Sequence, residues 1–360
     1  MSGGGGYLII NPFGIGDVLF TTPVIESIKE SGRDRKIGYL CNRRTEPLLR
    51  ANPNVSRVFV YEKDELRQFW KASKLRFVSK MLSFISEIRR ENFETAIDLS
   101  LNREYGFICV LAGIKNRIGF NYRNRGIYLT KKIDTEGYSG KHIIEHYLEL
   151  LELAGIKPSG KEARLYIPDA DMKWARDFLM LNNVSEDRIL VGLAPAGGAS
   201  WGKDARIKHW RIDGFAEVAD RIADSFGARI ILFGSPTEAK ACENMASVMR
   251  NSPINVCGKT SLMQAAALLS RCRLVIANDG GLLHLAAAAG AGTVGIFGPV
   301  DEKVYGQYPC GPAHRTVREE VSCRPCYVNF RMKDCPDRIC LSRIEPDMVF
   351  KEASEVILLK

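Results

Sequence analysis

Three glycine-containing turns carry charged side chains that could move a proton or hold a phosphate. The first is NPFGIGDVLFTTP, where Asp17 stands at a predicted helix start beside Gly14 and Gly16. An aspartate there could act as a general base or could cap the helix, and both interpretations stay open. The dinucleotide fingerprint requires a third glycine where Leu19 stands, so this loop is not predicted to bind phosphate.

The late segment LVIANDGGLLHLAAAAGAGTVGIFGP is the better candidate for a phosphate site. A buried strand is predicted to end before Asp279, and Gly280, Gly281 and Leu282 would open a helix with free backbone N–H groups. Such a helix start attracts anions, and glycine lets a phosphate approach the backbone closely. The competing interpretation is an aspartate N-cap with a close contact between helix and sheet.

Two further turns lie between these loops. In LAPAGGASWGKDARIKHW, Ser200 and the cations Lys203 and Lys208 follow a strand, and a lysine there could stabilise a pyrophosphate leaving group. In LFGSPTEAKAC, Glu238 follows another strand, where a carboxylate can accept both hydroxyls of a ribose. For Glu238 alone, a first-turn glutamate favoured by the helix dipole is the better interpretation.

The elements that position these turns alternate between short apolar runs and amphipathic stretches along the whole chain. Such alternation predicts parallel α/β sheets with helices on both faces. The pattern restarts near residue 188, after a connection and helix over residues 163–183, so we expect two α/β halves. Sites in such folds lie beyond the carboxyl ends of strands, and the expected site is a cleft between the halves.

Composition and charge limit the function further. The 360 residues contain no apolar run near the ~20 residues that span a bilayer, and MSGGGG lacks the features of a signal peptide, so we expect a cytoplasmic protein. Of the net charge of +9, +7 falls in residues 1–170, concentrated in residues 71–90 and 115–132. Two basic runs in one half indicate a partner with clustered negative charge: phosphorylated lipid, acidic sugar or nucleic acid. No nucleic-acid-binding motif supports the last.

Five of the ten cysteines lie in one late segment, and four of them are spaced C-x2-C-x8-C-x4-C. This spacing predicts a structural zinc site, with a disulfide or unligated thiols as alternatives. The four candidate zinc ligands are Cys323, Cys326, Cys335 and Cys340.

The segments GIGDVLFTTP, GGASW with KHW, GSPTE and NDGGLLHLAAAAGAGTVGIFGP, in this order, resemble glycosyltransferase family 9, the bacterial ADP-heptose:lipopolysaccharide heptosyltransferases. The resemblance implies a GT-B fold of two Rossmann-like domains facing each other across a cleft, with inverting sugar transfer that needs no metal cofactor. It implies that Asp17 is the general base and that Lys208 contacts donor phosphate. It further implies donor binding by Ser200, Glu238, Asp279, Gly280, Gly281 and Leu282. Six residues, GKDARI, separate the GGASW segment from Lys208, more than is usual in the family.

The implied acceptor is a lipopolysaccharide core or a related anionic glycan. Charge and position in the basic half suggest Arg43, Arg44, Arg117, Arg123 and Arg125 as acceptor-binding residues, with Gly14 and Gly16 giving the acceptor room. We expect an acceptor domain over residues 1–170, a donor domain over 171–345 that carries the cysteine segment 310–340, and a C-terminal helix over 346–360 that packs on the first domain.

The expected partners are a nucleotide sugar and an anionic glycolipid. We expect a monomer that binds no nucleic acid and touches the cytoplasmic face of the inner membrane. Two alternatives remain: a nucleotide-sugar-binding protein of this fold without transferase activity, and a GT-B-like nucleotide-sugar epimerase.

Overall fold

The computed structural model describes residues 5–197, 199–332 and 335–359, without the side chains of residues 199–201, 203 and 204. The chain forms two compact units, Met1–Glu162 and Ala163–Lys360. The predicted domain boundary at residue 170 therefore lies slightly late, because the connection that precedes the next helix already belongs to the second unit.

The first unit is built on one six-stranded parallel sheet. Its strands are β1 Gly6–Ile10, β2 Ile37–Cys41, β3 Arg57–Val60, β4 Phe93–Asp98, β5 Asn116–Tyr122 and β6 Lys131–Thr135. They lie in the order β3-β2-β1-β4-β5-β6, which is the doubly wound order of nucleotide-binding folds. The order reverses between β1 and β4, where Ile10 lies beside Asp98. Loops at the carboxyl ends of these two strands are the expected place for a ligand.

The helices of the first unit cover both faces of this sheet. They are α1 Ile15–Leu19, α2 Thr22–Glu30, α3 Glu46–Arg50, α4 Lys63–Ala72, α5 Lys74–Arg90, α6 Arg103–Leu111 and α7 Ile143–Leu153. The residue periodicity predicts one helix over residues 17–32 and one over residues 65–92, and each is split in two. The break after Leu19 precedes Pro23, which has no N–H to donate, and the hydroxyls of Thr21 and Thr22 bond to carbonyls of α1. The break between α4 and α5 lies at Ser73, whose extended backbone and side chain cap α5.

The second unit repeats the architecture. Its main strands are β7 Leu190–Ala194, β8 Arg229–Leu232, β9 Ile254–Asn255, β10 Leu274–Asn278, β11 Gly292–Phe297 and β12 His314–Arg318. Their order, β12-β11-β10-β7-β8-β9, is again doubly wound, and all neighbours are parallel. A short antiparallel pair, β13 Tyr327–Val328 and β14 Arg331–Met332, lies in the cysteine segment. Both halves therefore have the Rossmann-like order that the sequence predicts.

The helices of the second unit are α8 Asp169–Leu181, α9 Ile212–Phe226, α10 Ala239–Val248, α11 Leu262–Leu269, α12 Gly281–Ala288, α13 Glu302–Tyr305, α14 Ile339–Ser342 and α15 Pro346–Leu358. The last helix, α15, was predicted to pack on the first domain. It belongs to the second unit, where Val349, Ala353 and Val356 join the hydrophobic core. Burying this apolar face against α9, β11 and β12 stabilises the helix within its own unit.

Each unit has its own hydrophobic core. In the first, strand residues such as Leu8 and Ile10 pack with Ile88 of α5 and Ile108 of α6. In the second, β-strand residues pack with α9, α10 and α15. None of the helices in the described ranges is long and apolar enough to span a membrane.

Candidate functional site

The loop after β1 holds Asp17 at the carboxyl edge of the first sheet. Asp17 Oδ2 accepts a hydrogen bond of 3.0 Å from the backbone N–H of Gly14, so the helix-capping role is real. Asn11 fixes the loop from inside, since its amide donates to Asp17 O and its oxygen accepts from Phe13 N–H. Asn42 adds two bonds to the carbonyls of residues 12 and 13. Asp17 is half-buried in this loop.

Most of the arginines proposed for the acceptor lie at the same edge. Arg43 and Arg44 are exposed in the loop after β2, and Arg43 forms an ion pair with Glu65 at 2.9 Å. Arg123 and Arg125 follow β5, with their guanidinium carbons 4.9 Å and 5.6 Å from the Tyr122 ring centroid. Because the sheet is parallel, the loops after β1, β2 and β5 open at one edge. The structure therefore brings these cations to the edge that holds Asp17.

Arg117 is the exception among the acceptor candidates. It lies near the amino end of β5, and its guanidinium donates to the carbonyls of Ile114, Lys115 and Tyr128. Three carbonyls accept from three of its five N–H donors at the edge opposite Asp17. Charge and position in the chain suggested an acceptor role, but the strand direction places this side chain in a structural one.

Asp98 is a carboxylate at the Asp17 edge that the sequence interpretation missed. It ends β4 beside Ile10, is 5% exposed, and accepts a 2.9 Å bond from Ser100 N–H. Burial raises the pKa of Asp98 to about 6, and the bonds from Ser100 and the charge of Lys63 only partly oppose this. The signal was present in the sequence as an apolar strand ending in aspartate, FETAIDLS.

Asp98→Asn is expected to raise stability at pH 7. Because folding raises the pKa of Asp98 to about 6, the folded state binds the extra proton, and the free energy of unfolding falls as pH rises from about 4 to 6. A shift of about two units corresponds to at most about 3 kcal/mol. Urea unfolding of both proteins between pH 4 and 7 measures this, and the variant should lose the slope that Asp98 contributes.

Asp220→Asn is the matched control, since Asp220 is equally buried in the second unit. Burial raises the pKa of Asp220, but backbone N–H bonds from Arg250 and Asn251 outweigh it and leave the pKa lowered. That variant should be destabilised at pH 7, the opposite sign. An Asp98→Asn protein less stable than the wild type at pH 7 would contradict the assignment.

In the second unit, the end of β10 brings Lys208, Asp279 and His284 together. Lys208 Nζ lies 2.5 Å from Asp279 Oδ2, and both side chains are almost fully buried. His284 Nε2 lies 4.0 Å from the other carboxylate oxygen and is 7% exposed. A buried lysine must have such a partner, because an isolated charge in the protein interior is very costly. Asp279 therefore holds the lysine ammonium at the start of α12.

Asn278 joins this cluster to the neighbouring loops. Its Oδ1 accepts a hydrogen bond of 2.9 Å from Trp210 N–H, and its Nδ2 donates a hydrogen bond of 2.7 Å to Pro195 O. The loop after β7 and the segment carrying Lys208 are thereby fixed to the end of β10. This is the switch point of the second sheet, since β7 and β10 are neighbours whose connections run in opposite directions.

Gly280 and Gly281 follow Asp279 and begin α12 directly at this point. The first N–H groups of the eight-residue helix have no partner within the helix, so they can bind an anion. Leu282 is half-buried and packs beside Leu283 and Ala277. The structure therefore places the predicted donor loop and Lys208 at one end of one sheet.

Glu238 lies on a nearby loop of the same unit. Its Oε2 accepts a hydrogen bond of 2.7 Å from Ser235 N–H, so Glu238 has the predicted role of a glutamate in the first helical turn. The side chain also lines a cavity of about 610 Å³ with Thr237, Arg206 and His209. His209 and Arg206 were not singled out by the sequence interpretation as binding residues. The side chains of Ser200 and Lys203 lie outside the residues that the structure describes.

The comparison with protein families decides what kind of enzyme this is. Residues 81–335, which are 255 of the 360, match the family described as glycosyltransferase family 9 (heptosyltransferase). The chain belongs to this family. The predicted resemblance and the enzyme class, glycosyltransferase, are thereby confirmed.

Individual relatives of this family 9 enzyme cover most of its length. Lipopolysaccharide heptosyltransferase 3 of Escherichia coli K12 is 26% identical over 79% of this chain and 80% of its own. The solved E. coli ADP-heptose lipopolysaccharide heptosyltransferase II has a TM-score of 0.75 and 21% identity over 98% of both chains. A family 9 structure from Veillonella parvula has a TM-score of 0.82 and 22% identity, and the match covers 98% of this chain and 97% of that one. These matches confirm the GT-B fold.

The predicted zinc site at the late cysteines is not seen among the described residues of this family 9 chain. No three His, Cys, Asp or Glu side chains among the described residues are grouped so as to hold a metal ion. Cys340 packs in the hydrophobic core. Cys326 is buried and its thiol donates a hydrogen bond to the carbonyl of Cys323, whose own side chain is exposed. Burial raises the pKa of the Cys340 thiol, and the nearby thiols of Cys326, Cys335 and Cys323 raise it further. The four thiols therefore lie near one another with different degrees of burial, but they are not grouped as metal ligands.

Proposed function

We propose that this enzyme transfers heptose from ADP-heptose to a lipopolysaccharide core or a related anionic glycan, with inversion at the sugar carbon. The match to the heptosyltransferase family over 255 residues carries the proposal. The names of the relatives agree with it, since they describe lipopolysaccharide and lipooligosaccharide heptosyltransferases.

On the donor side, the start of α12 would bind the pyrophosphate. The N–H groups of residues 280–282 would donate to an anion there, and Lys208 lies at the same sheet end, oriented by Asp279. As the bond between sugar and phosphate breaks, negative charge develops on the leaving ADP. A fixed ammonium and helix amides stabilise that charge without rearranging, because the protein already holds them in place. Ser200 remains a proposed donor contact.

On the acceptor side, Asp17 would take the proton from the attacking hydroxyl. The loop after β1 holds the carboxylate through the Gly14 bond, and the small residues Gly14 and Gly16 leave room for a sugar. Arg43, Arg44 and Arg123 at the same edge would bind acidic groups of the acceptor. Arg117 is left out of this site, since three of its five guanidinium N–H donors are bonded to backbone carbonyls at the opposite edge. The acceptor is a glycolipid, so we place the enzyme at the cytoplasmic face of the inner membrane.

The proposal is tested by transfer and by binding. Purified enzyme with ADP-heptose and a core acceptor lacking the terminal heptose should yield a product heavier by one heptose unit. ADP-heptose should raise the melting temperature more than UDP-linked sugars do, because a ligand stabilises the folded state by mass action. No transfer from ADP-heptose to any truncated core, under conditions where the protein is folded, would overturn the proposal.

Glu238→Gln tests the ribose contact. Glutamine can still accept the hydrogen bond from Ser235 N–H, but it lacks the negative charge that would strengthen hydrogen bonds from the ribose hydroxyls. We expect the Kd for ADP to rise about tenfold, the worth of a charged hydrogen bond. Glu243→Gln, an exposed glutamate on α10, is the matched control. Equal ADP affinity for the two variants in calorimetry would assign Glu238 to the helix cap alone.

A further inference from the structure

The helical pair formed by α4 and α5 is an exposed surface of the first unit with an unusual composition. No residue of the ten-residue α4 is buried, although it contains Phe69 and Trp70. The Trp70 ring contacts Phe77 of α5 edge-on at 5.1 Å, so the two helices pack on each other. Leu66 of α4 is half-buried and packs against the first core, but most of the helix surface, including Trp70, is left to solvent.

Four large apolar side chains of this pair face solvent. Trp70 is 50% exposed, Leu75 84%, Val78 46% and Leu82 62%. Leu75, Val78 and Leu82 are spaced i, i+3, i+7, so they form one stripe along α5. Ile85 follows Leu82 by three residues on the same side of the helix and is buried in the first core. The stripe is therefore the solvent-exposed, N-terminal continuation of the face that α5 packs on that core.

Positive charge surrounds this stripe. Residues 66–86 contain five Lys and Arg residues and no acidic residue. Lys71, Lys74, Arg76 and Lys80 are all exposed, and none of them forms an ion pair within the described part of the chain. Lys74 lies 5.6 Å from the Trp70 ring centroid and Lys80 5.8 Å from that of Phe69, so aromatic rings and cations alternate on the surface.

A groove beside the stripe has the composition of a phosphate site. It encloses about 310 Å³ and is lined by Phe69, Arg76, Ser79, Lys80 and Ser83. The last four are spaced i, i+3, i+4, i+7, so two cations and two hydroxyls line one side of α5. Cations and hydroxyl donors bind a phosphate headgroup, while the apolar stripe next to them would enter the acyl boundary.

We propose that the α4–α5 surface docks this enzyme on an anionic phospholipid bilayer, with the stripe of Leu75, Val78 and Leu82 in the interface and Arg76 and Lys80 on lipid phosphates. Charge complementarity favours a membrane over another protein, since residues 66–86 have no acid and carry four cations outside any ion pair among the described residues. The docking deepens the proposed function, on which it rests for its purpose: a glycolipid acceptor is held in a bilayer.

Co-sedimentation with vesicles tests the docking. The whole enzyme should bind vesicles of phosphatidylglycerol and phosphatidylcholine at least tenfold more tightly than phosphatidylcholine alone, and less tightly at high salt. Leu75→Ser with Leu82→Ser should weaken binding at least tenfold through lost insertion. Arg76→Gln with Lys80→Gln should weaken it at least tenfold, since each basic residue near the surface contributes about fivefold.

Two matched variants serve as controls. Met180→Ser with Leu181→Ser removes two equally exposed apolar side chains from α8, and Lys173→Gln with Lys351→Gln removes two exposed lysines from the second unit. Both should bind the anionic vesicles like the wild type. The proposal is overturned if the wild type does not prefer anionic vesicles, or if the control pairs lose as much binding as the α5 pairs. A lipid-free dimer that Leu75→Ser with Leu82→Ser dissociates would assign the surface to a second copy instead.

Failure of the docking and failure of the transferase proposal give different results. With a deacylated, water-soluble core acceptor, the α5 variants should keep the wild-type kcat, because no membrane is involved. Loss of transfer by the wild type on that acceptor would contradict the proposed function, whatever the vesicles show. Wild-type transfer without vesicle binding would contradict only the docking.

Discussion

Asp17→Asn is expected to abolish most sugar transfer while leaving the fold intact. Asparagine keeps an oxygen that can accept the bond from Gly14 N–H, so the helix cap survives, but it cannot take a proton from the acceptor hydroxyl. General base catalysis contributes about 10²- to 10⁴-fold, and kcat should fall by that factor. Steady-state transfer with ADP-heptose measures the loss, and the melting temperature should stay near that of the wild type.

Asp17→Ala separates the two roles of this carboxylate. Alanine removes the base and the cap acceptor together, so we expect the same loss of kcat and an added loss of about 1 kcal/mol in stability. If Asp17→Asn transfers at the wild-type rate, the residue is only a helix cap and the base must be sought elsewhere on the carboxyl edge of the first sheet. Unchanged kcat would also favour a proton acceptor on the substrate itself.

Lys208→Met should have the second large effect, on stability and on transfer. The substitution leaves Asp279 buried without its cation 2.5 Å away, and breaking a buried pair in this way costs about 3 to 5 kcal/mol. Transfer should fall about 100-fold or more, because the positive charge opposite the leaving pyrophosphate is lost. Urea unfolding and single-turnover transfer at saturating ADP-heptose measure the two effects separately.

The double variant Lys208→Met with Asp279→Asn distinguishes folding from catalysis. Removing both charges leaves no buried ion uncompensated, so most of the stability should return. The transfer rate should not return, since the ammonium is still absent. Recovery of both stability and transfer in the double variant would show that the pair is structural, and Lys203, outside the described side chains, would become the candidate for the donor phosphates.

The sequence predicted the fold well because the fold depends on local patterns. Short apolar runs alternating with amphipathic stretches require parallel strands and covering helices, and both sheets have the doubly wound order. The same patterns placed Asp17 at a helix start after β1 and Gly280 at the start of α12, because glycine turns at strand ends are visible in the residues themselves. Long helices were predicted too long, since a proline and a serine cap interrupt the periodicity without ending the apolar pattern.

Side-chain partners were beyond the reach of such patterns. Arg117 and Arg123 carry the same charge six residues apart, yet one is bonded to three carbonyls and the other is exposed beside Tyr122. The four late cysteines have suggestive spacing, but Cys340 belongs to the core because α14 packs there. Asp98 looks like any strand-end aspartate, and only burial raises its pKa to about 6.

By itself the sequence determined the two α/β halves, the family, and the two loops that carry Asp17 and Asp279. Those features follow from residue order, through periodicity, glycine turns and helix starts. The tertiary structure alone decided that Lys208 meets Asp279, 71 residues further along the chain, in a nearly dry environment. It also decided that α5 leaves Leu75 and Leu82 in solvent. Both depend on which faces of distant elements pack together, and no local pattern of residues contains that information.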